Sequence, residues 1–393
     1  MKTKQKNQNP QFSTLNSQFL RRYPAEWENQ CATWLSWPHN EKEWGKERLQ
    51  KIRRFHIELI NKILEFQDVN LVFANKDLLE EVSFDKQFVK AIHEFPQRLK
   101  KMILPNNDIW IRDYGPFFLW HCEEGRNSDE ASSQTTSRSG DYFGTKAPRN
   151  DAYRKPLILD FEFNAWGGKF PPWDLDNNIP KEIAFSLGYE IESYPIIMEG
   201  GSLEFSGDGL ILTTEQCLLN KNRTLTLSKA NIENILKSAF NIEEMIWLKQ
   251  GLEGDHTDGH IDNVARFANP RKVLICKSND KKDGNYEHLN KSIEYLKKWT
   301  HPKKGYKLEV IELPMPDRME IKNERIPNSY ANFIFVNGGV IIPTFNCPSD
   351  KTALEIFKKA FPDRKIAEID CSLLIEEGGG LHCMTKQEPQ LLI

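Results

Sequence analysis

Short apolar runs alternate with amphipathic stretches along most of the chain. Residues 201–214, GSLEFSGDGLILTT, have the form of a β-hairpin with Gly-Asp-Gly at its turn. A helical pattern follows over 228–240, with Ser228 as its candidate N-cap, and then a strand pattern, EMIWLK. The order hairpin, helix, strand defines a unit that can be searched for elsewhere in the chain.

The same order recurs about five times at irregular spacing. Two further copies have helices near 286–298 and 351–361. Another combines the strand pattern 109–120 with a helix over 181–190, and the first part of the chain is a looser copy with a helix over 46–66. Repeats that each bury one face against a neighbour often close into a ring. The pattern therefore predicts an α/β fold and favours a ring of five units. The alternative is an ordinary α+β domain with hairpins that look repetitive by chance.

Two polar stretches fall outside these repeats. Residues 1–22 are expected to be a polar tail, and residues 122–153, rich in Ser, Asp, Gly and Thr, are expected to be a surface insertion between two strands. The rest, 23–393, is expected to form a single domain. The N-terminus lacks the apolar core of a secretory signal, and no segment has the roughly 18 apolar residues of a membrane helix.

Composition and charge exclude several classes of protein. Hydrophobic content of 39% and charged content of 28% are globular values, and a net charge of −3 argues against a nucleic-acid binder. The seven cysteines are scattered and include no C-x-x-C, so neither a disulfide scaffold nor a cysteine zinc site is indicated. We therefore expect a cytoplasmic protein that binds neither nucleic acid nor membrane.

The densest set of chemical groups is GDHTDGHIDN, residues 254–263. On a strand, His260 and Asp262 would face the same side, and a histidine beside a carboxylate can act as general acid and base. Two alternatives stay open. One is a metal site that uses His256 and His260, and the other is a turn capped by Asp258.

Three further motifs carry charge or a thiol. In NDIWIRDYGPF, 107–117, a strand would point Arg112 and Asp113 to opposite faces, and an edge salt bridge is the alternative. Glu199 precedes two glycines and could bind a cation, although Glu-Gly-Gly is also a common turn. In EEGGGLHCMTKQEP, 376–389, Gly378–Gly380 lead to Cys383, a candidate nucleophile for His260. His382 would point away from Cys383 on a strand and is the poorer partner.

One thiol, one imidazole and three carboxylates suit a guanidinium substrate, since its N–H groups pair with carboxylates and its carbon can face the thiol. These motifs, in this order with PAEWENQCATWLSWPHN, FNAWGGKFPPWDLDN and SYANFIFVNGGVIIPTF, resemble the agmatine deiminase family, relatives of bacterial peptidylarginine deiminases. The resemblance covers nearly the whole chain. It implies the five-bladed α/β propeller (pentein) of the guanidine-modifying superfamily.

The resemblance also implies residue roles. Cys383 matches the nucleophile, His260 the general acid/base, Asp113 and Asp262 the guanidinium-binding acids, and Glu199 the acid that binds the guanidinium and positions His260. The expected substrate contacts are Trp110, Trp166, Asp255 and Gly380. Two departures stand out: His256 occupies a position where the family suggests an acid, and the insertion at 122–153 is long.

The expected reaction is hydrolysis of agmatine to N-carbamoylputrescine and ammonia, with no metal or organic cofactor. The expected partner is this small guanidinium substrate, and a homodimer is a further expectation. The alternatives are a peptidylarginine or arginine deiminase, an amidinotransferase, and a propeller that binds ligands without catalysis.

Overall fold

The computed structural model describes residues 19–123, 154–223 and 226–390, and it consists of short strands and helices in a repeated order. The strands are β1 Phe19–Arg22, β2 Gln30–Ser36, β3 Asp68–Phe73, β4 Leu99–Ile103, β5 Phe117–Glu123, β6 Arg154–Glu162, β7 Glu190–Ile197, β8 Glu204–Phe205, β9 Leu210–Thr214, β10 Glu244–Leu248, β11 Ala265–Asn269, β12 Lys272–Lys277, β13 Glu309–Pro314, β14 Glu320–Ile321, β15 Glu324–Arg325, β16 Ile334–Val336, β17 Gly339–Thr344, β18 Lys365–Asp370 and β19 Lys386–Pro389. The helices are α1 Glu41–Trp44, α2 Lys46–Leu64, α3 Lys76–Ser83, α4 Lys86–Ala91, α5 Ile111–Tyr114, α6 Ala165–Gly168, α7 Asp174–Leu187, α8 Glu215–Leu218, α9 Lys229–Phe240, α10 Tyr286–Lys298, α11 Ser349–Ala360 and α12 Ser372–Ile375. None of these helices is both long and apolar enough to cross a membrane.

Five sheets of three or four strands share one topology. In each sheet two strands pair antiparallel, and the second of them pairs parallel with the strand that follows the next long helix, as β8, β9 and β10 do around α9. The other four sets are β5–β6–β7, β11–β12–β13, β16–β17–β18 and β19–β2–β3. The hairpin–helix–strand unit expected from the sequence is therefore present in five sheets. One of them joins the two ends of the chain, because β19 pairs with β2.

Local sequence explains why the helices begin and end where they do. Ser228 caps α9, since its hydroxyl accepts a hydrogen bond from the Asn231 amide, as expected. Gly188 ends α7 in the left-handed conformation at φ 67°, which glycine adopts without a Cβ penalty. Helix α9 buries Ile232, Leu236 and other apolar residues of one face, which is the 3.6-residue periodicity visible in the sequence.

Three sequence-based boundaries need correction. The segment 109–120 is not one strand, because α5 occupies Ile111–Tyr114 before β5 begins. The helix expected over 181–190 begins earlier, at Asp174. Residues 19–22, assigned to the polar tail, form strand β1, which pairs antiparallel with β5. Residues 1–18 of that tail and 124–153 of the expected insertion lie outside the described residues.

The first strand of each unit is preceded by a short segment that carries polar residues. A single helical turn precedes four of these strands: α5 precedes β5, and the 3₁₀ turns Gly200–Ser202, Ile261–Asn263 and His382–Met384 precede β8, β11 and β19. The turns touch one another, since α5 contacts the first and third of these 3₁₀ turns and the second packs on the first. The repeated unit thus brings residues that are distant in sequence to one place.

Candidate active site

The loop before Cys383 needs its glycines for close packing. A Cβ on Gly379 would lie 2.4 Å from Cζ3 of Trp110, and one on Gly380 would lie 2.3 Å from Oδ1 of Asn332. Both distances are far shorter than any real contact, so a side chain at either position would displace a neighbour. The loop ends in the 3₁₀ turn that holds Cys383, which is buried.

The Cys383 thiol lies among polar groups from other units. Nδ2 of Asn332 is 3.4 Å from Sγ, and Oδ2 of Asp262 is 3.8 Å from it. Burial, together with the charges of Asp262 and Asp113, raises the pKa of the thiol well above its ordinary value, while the Gly380 backbone and Asn332 act in the opposite direction. Without a ligand, the thiol is therefore protonated at neutral pH.

His260 is fully buried and held from one side. Its Nε2 lies 3.3 Å from Oε2 of Glu199, and the other oxygen of Glu199 accepts a 2.8 Å hydrogen bond from Nε of Arg223. Its Nδ1 has no hydrogen-bond partner among the described residues and lies 3.7 Å from Oδ1 of Asp113. Burial opposes a charged ring, but Asp113, Cys217 and Glu199 outweigh it and raise the pKa of His260 well above its ordinary value.

The two aspartates have different partners. Asp113 accepts hydrogen bonds from Nε1 of Trp166 at 2.9 Å and from the Gly201 amide at 2.8 Å, and burial raises its pKa to about 6. Oδ2 of Asp262 lies 2.8 Å from Nδ1 of His382, while its Oδ1 is buried and has no partner within the described part of the chain. Each aspartate is therefore fixed by the protein, and Asp262 keeps one oxygen free for a donor.

Gly201 marks the point where these groups converge. A Cβ at this position would lie 2.6 Å from Nδ1 of His260 and 2.9 Å from both Oδ1 of Asp113 and Oδ2 of Asp262. The structure therefore brings together the five residues expected to carry the chemistry, Cys383, His260, Glu199, Asp113 and Asp262.

A cavity of about 70 Å³ leads to Cys383. Its lining comprises Glu43, Trp44, Asp108, Trp110, Asp113, Trp166, Phe170, His256, Thr257, Glu377, Gly378, Gly379 and Cys383. Trp110 and Trp166, two of the expected substrate contacts, line this cavity. Trp166 adopts left-handed backbone angles, φ 55° and ψ 47°, and its indole donates to Asp113.

Two of the expected substrate contacts do not line this cavity. Asp255 accepts hydrogen bonds from Thr257 through one oxygen and from the His260 amide and Asn263 through the other, so it holds the turn that carries His260. Gly380 packs under Asn332, and its backbone interacts with the Cys383 thiol. In this structure, Asp255 and Gly380 therefore contact other residues of the chain and do not line the cavity.

The local structures assumed for two motifs were wrong. His260 and Asp262 do not share a strand, because His260 caps the 3₁₀ turn Ile261–Asn263. Arg112 and Asp113 lie in α5, and Arg112 binds Glu26 at 2.9 Å and Gln387 at 2.7 Å. The edge salt bridge that was the alternative for this motif is instead a buried ion pair with Glu26.

Sequence reasoning missed Arg223 and Asn332. Arg223 holds Glu199 and also pairs with Asp258, and it lies in a loop with no repeated pattern. Asn332 lies in the motif SYANF, where the only signal was a polar residue just before an apolar strand. In both cases the partner is more than 20 residues away, so local patterns could not identify the contact.

The metal alternative for His256 and His260 does not match the arrangement of the described residues. The one group of described side chains with metal-ligand atoms within 4.8 Å of one another is Glu199, Cys217 and His260, and it does not include His256. Glu199 in this group already pairs with the Arg223 cation at 2.8 Å. A divalent ion would have to sit beside that guanidinium, which the charge disfavours.

Comparison with known proteins finds matches over nearly the whole chain. The family model of the Porphyromonas-type peptidyl-arginine deiminase matches residues 22–389. An agmatine deiminase from Pseudomonas putida is 30% identical over 394 residues, which cover 93% of this chain and 95% of the relative. A Legionella pneumophila relative is 32% identical, with 96% and 98% covered.

The solved structures show the same fold. The C. jejuni agmatine deiminase, as a cysteine-to-serine variant with substrate bound, superposes with a TM-score of 0.77 at 28% identity and covers 96% of this chain and 98% of that one. The likeness to known proteins thus extends over almost the whole chain in both sequence and structure. The chain belongs to the Porphyromonas-type peptidyl-arginine deiminase family, and its relatives include agmatine deiminases.

Proposed function

We propose that this chain is an agmatine deiminase, which hydrolyses agmatine to N-carbamoylputrescine and ammonia. The observation that carries the proposal is the charge of the cavity. Asp113 and Cys383 line it together, Glu43 and Asp108 line it as well, and no lysine or arginine is found among its described lining residues. A substrate that carries a guanidinium and an amine matches a cavity with an acid beside the thiol and two further acids.

The placement of the basic residues argues against a substrate that carries a carboxylate. Arg112 and Arg266 are the arginines near these motifs, and both bind Glu26 in the interior. Arg48 lies near the cavity and is paired with Glu376 and Glu377. Among the described residues that line the cavity, free arginine would therefore meet Glu43 and Asp108 and no cation to receive its carboxylate.

In the first half of the reaction, the guanidinium binds between Asp113 and Asp262. Burial and these two carboxylates raise the pKa of the Cys383 thiol, and the positive charge of the guanidinium offsets the carboxylates, so the thiol loses its proton to solvent. The thiolate attacks the guanidinium carbon and forms a C–S bond. His260 then gives a proton to one nitrogen, the C–N bond breaks, and ammonia leaves an amidino-thioether on Cys383.

In the second half, His260 takes a proton from water, and the resulting hydroxide attacks the same carbon. The C–S bond breaks, Cys383 leaves as the thiolate, and the new hydroxyl group gives its proton to solvent, so that neutral N-carbamoylputrescine forms. We assign the proton transfers to Nδ1 of His260, since Glu199 binds Nε2 and Arg223 fixes Glu199 in turn. A catalytic imidazole is usually oriented in this way, by a further residue that binds its other ring nitrogen, which here is Glu199.

We also infer that the five sheets form the blades of one ring, a five-bladed α/β propeller, in a single domain over 23–393. The common topology and the contacts between the turns before β5, β8, β11 and β19 support this arrangement. A cytoplasmic location and a homodimer stay predictions.

Ammonia release from agmatine, free arginine and an arginine-containing peptide, measured in parallel, tests the function. We expect activity on agmatine to exceed the other two, and Cys383→Ala to abolish it while the fold is kept. Cys371→Ala, which removes another buried cysteine, should stay active. Activity confined to the peptide or to arginine would overturn the proposal in favour of a peptidylarginine or arginine deiminase.

A further inference from the structure

His382, directly before the nucleophile, has no role in the mechanism above, yet it is almost fully buried between two acids. Its Nδ1 lies 2.8 Å from Oδ2 of Asp262, and its Nε2 lies 2.7 Å from Oε1 of Glu26. A neutral imidazole has one N–H and one lone pair. Two such short contacts therefore require a second proton, either on the ring or on one of the carboxyl groups.

The surroundings of Glu26 favour its ionised form. Burial disfavours the carboxylate, but Arg266, His382 and Arg112 outweigh burial and hold the pKa of Glu26 well below its ordinary value. Arg112 donates to Oε1 at 2.9 Å, and Arg266 donates to the other oxygen. An oxygen that accepts from a guanidinium cannot readily carry a proton of its own.

The surroundings of Asp262 favour its ionised form as well. Burial again opposes the charge, but the hydrogen bond and charge of His382, with the charges of His260 and Arg266, lower the pKa of Asp262 below its ordinary value. With both acids ionised, the second proton belongs to the ring of His382.

Two arginines act against a charged ring. Burial, Arg112 and Arg266 lower the pKa of His382, whereas Glu26 and Asp262 raise it, with a net shift downward. The two short contacts nevertheless favour the charged ring. In a neutral ring, the nitrogen without a proton would place its lone pair less than 3 Å from a carboxylate oxygen, and the two would repel each other. Each arginine is also bound to its own acids, Arg112 to Glu26 and Arg266 to Glu26 and Glu204.

We propose that His382 is a buried imidazolium and a positioning residue, which donates from both ring nitrogens, to Asp262 and to Glu26. Its hydrogen bond occupies Oδ2 of Asp262 and leaves the unpartnered Oδ1 for the guanidinium. Glu26 is held in turn by two arginines, so the N-terminal segment that precedes β2 fixes an acid of the active site. The assignment of Oδ1 to the guanidinium rests on the proposed function, whereas the charged ring of His382 does not.

The protonation state can be measured without substrate. Long-range ¹H–¹⁵N correlation spectra of histidine-labelled protein distinguish an imidazolium from either neutral tautomer. We expect His382 to show two protonated nitrogens from pH 6 to pH 8. His56 is an internal standard for a neutral ring, since burial lowers its pKa to about 3. A neutral tautomer at His382 at pH 7 would overturn the proposal, whether or not agmatine is hydrolysed.

The His382 signal is assigned by its loss in His382→Gln. If that variant does not fold, Glu26→Gln serves instead, because it removes the negative charge of one of the two acceptors and should change the protonation of His382 while the His56 signal stays. A spectrum of Glu26→Gln in which no histidine changes would also contradict the proposal.

The positioning role is tested by steady-state kinetics. In His382→Gln we expect kcat/KM for agmatine to fall about 10²-fold, with a raised KM, since a displaced Asp262 weakens guanidinium binding. A merely structural role would lower the amount of active enzyme and leave KM unchanged. His301→Gln, which removes a buried histidine between α10 and β13, is the control. A KM equal to that of the wild type in His382→Gln would overturn the role.

Discussion

At the scale of single residues, the proposed mechanism gives the carboxylates around Cys383 two roles: they bind the substrate and they control the reactivity of the thiol. Asp113 and Asp262 raise the pKa of the thiol, and Asp113 also raises that of His260. A bound guanidinium offsets these negative charges, so both pKa values fall when the substrate arrives. The thiol is therefore activated by the cation it attacks, and the empty site is protected from other electrophiles.

Asp113 predicts how activity depends on pH. Burial raises its pKa to about 6, and only its ionised form can bind the guanidinium, so kcat/KM for agmatine should rise as the pH increases through about 6. Trp166→Phe removes the indole N–H that favours the carboxylate. We expect this change to move the acidic limb upward by about one pH unit.

The control for this prediction is Trp44→Phe, which alters another tryptophan of the cavity. Its acidic limb should coincide with that of the wild type. If Trp166→Phe and the wild type share one limb, Asp113 is not the group that titrates.

Asn332 is predicted to favour the thiolate of Cys383. The His382 amide donates to its Oδ1 at 2.7 Å, which orients the amide so that Nδ2 faces Sγ. In Asn332→Asp, an oxygen can still accept from His382, but a negative charge replaces the donor beside the thiol. We expect alkylation of Cys383 by iodoacetamide to shift to higher pH and kcat to fall about 10²-fold.

Asn332→Ala separates charge from the loss of a hydrogen bond. It removes the donor and adds no charge, so its alkylation profile should lie between those of the wild type and Asn332→Asp. Thermal unfolding is followed in parallel, because both variants lose the 2.8 Å bond from Asn332 to Asn263. Identical profiles for all three proteins would show that Asn332 does not act on the thiol.

Residue identities were predictable from sequence where the chemistry is unusual. A thiol after three glycines, a histidine among aspartates and an acid before two glycines each stand out as residue types. The residues that hold these groups, Arg223 and Asn332, were not predictable. Each is recognisable only from its contact with a residue distant in sequence, Arg223 with Glu199 and Asn332 with Cys383. Asp255 was assigned to the substrate for its chemistry, whereas its oxygens hold the backbone of His260.

At the scale of single elements, the glycine loop before Cys383 is set by its neighbours. Gly379→Ala would place a Cβ 2.4 Å from the Trp110 ring, which forms a wall of the cavity. We expect the free energy of unfolding to fall by about 1–3 kcal/mol and KM for agmatine to rise, because Trp110 must move. Denaturant unfolding and initial-rate kinetics measure the two effects.

Gly305→Ala is the matched control, since that glycine has a positive φ but open space around its Cβ position. It should cost some stability through backbone strain and leave KM unchanged. A rise in KM of equal size in both variants would show that the effect of Gly379 is not local to the cavity.

Regular elements were predictable where one face is buried against the core. Helices α9 and α10 follow their apolar periodicity closely, because burial of that face determines both structure and sequence. The short turns that carry the active site were not predictable. IWIRDY alternates like a strand, yet tertiary contacts to the turns at Gly200–Ser202 and His382–Met384 fold its last four residues into α5.

At the scale of the whole molecule, the pairing of β19 with β2 joins the chain ends within one sheet. The sequence contained no signal for it, since a pairing across more than 350 residues leaves no local pattern. It also places Cys383, just before β19, in the same relation to its strand as Asp113 has to β5. The repeated topology thus explains how residues from five units reach one point.

The hairpin β5–β6 makes a prediction about the expected insertion. These strands pair directly from Phe117 with Leu159 to Cys122 with Arg154, so their register does not depend on residues 124–153. Replacing those residues by a short Gly-Ser linker should leave the melting temperature and kcat/KM for agmatine within about twofold of the wild type. A large loss of activity would assign a function to this segment.

The negative charge of the cavity predicts that the amine of agmatine contributes to binding. Burial and the charge of Glu43 raise the pKa of Asp108 to about 7, and burial raises that of Glu43. A cation bound between these two acids would relieve both effects, which is the role we assign to the amine of agmatine. Glu43→Gln should therefore raise KM for agmatine about three- to tenfold, more at low than at high salt.

The comparison with n-butylguanidine, which lacks the amine, separates this effect from a general disturbance of the cavity. Glu43→Gln should leave kcat/KM for n-butylguanidine unchanged, because that compound presents no charge to Glu43. Glu41→Gln alters an exposed acid on the same helical turn outside the cavity lining and should affect neither substrate. Equal losses on both substrates would mean that Glu43 shapes the cavity and does not bind the amine, and the preference for agmatine would then rest on Asp108 alone.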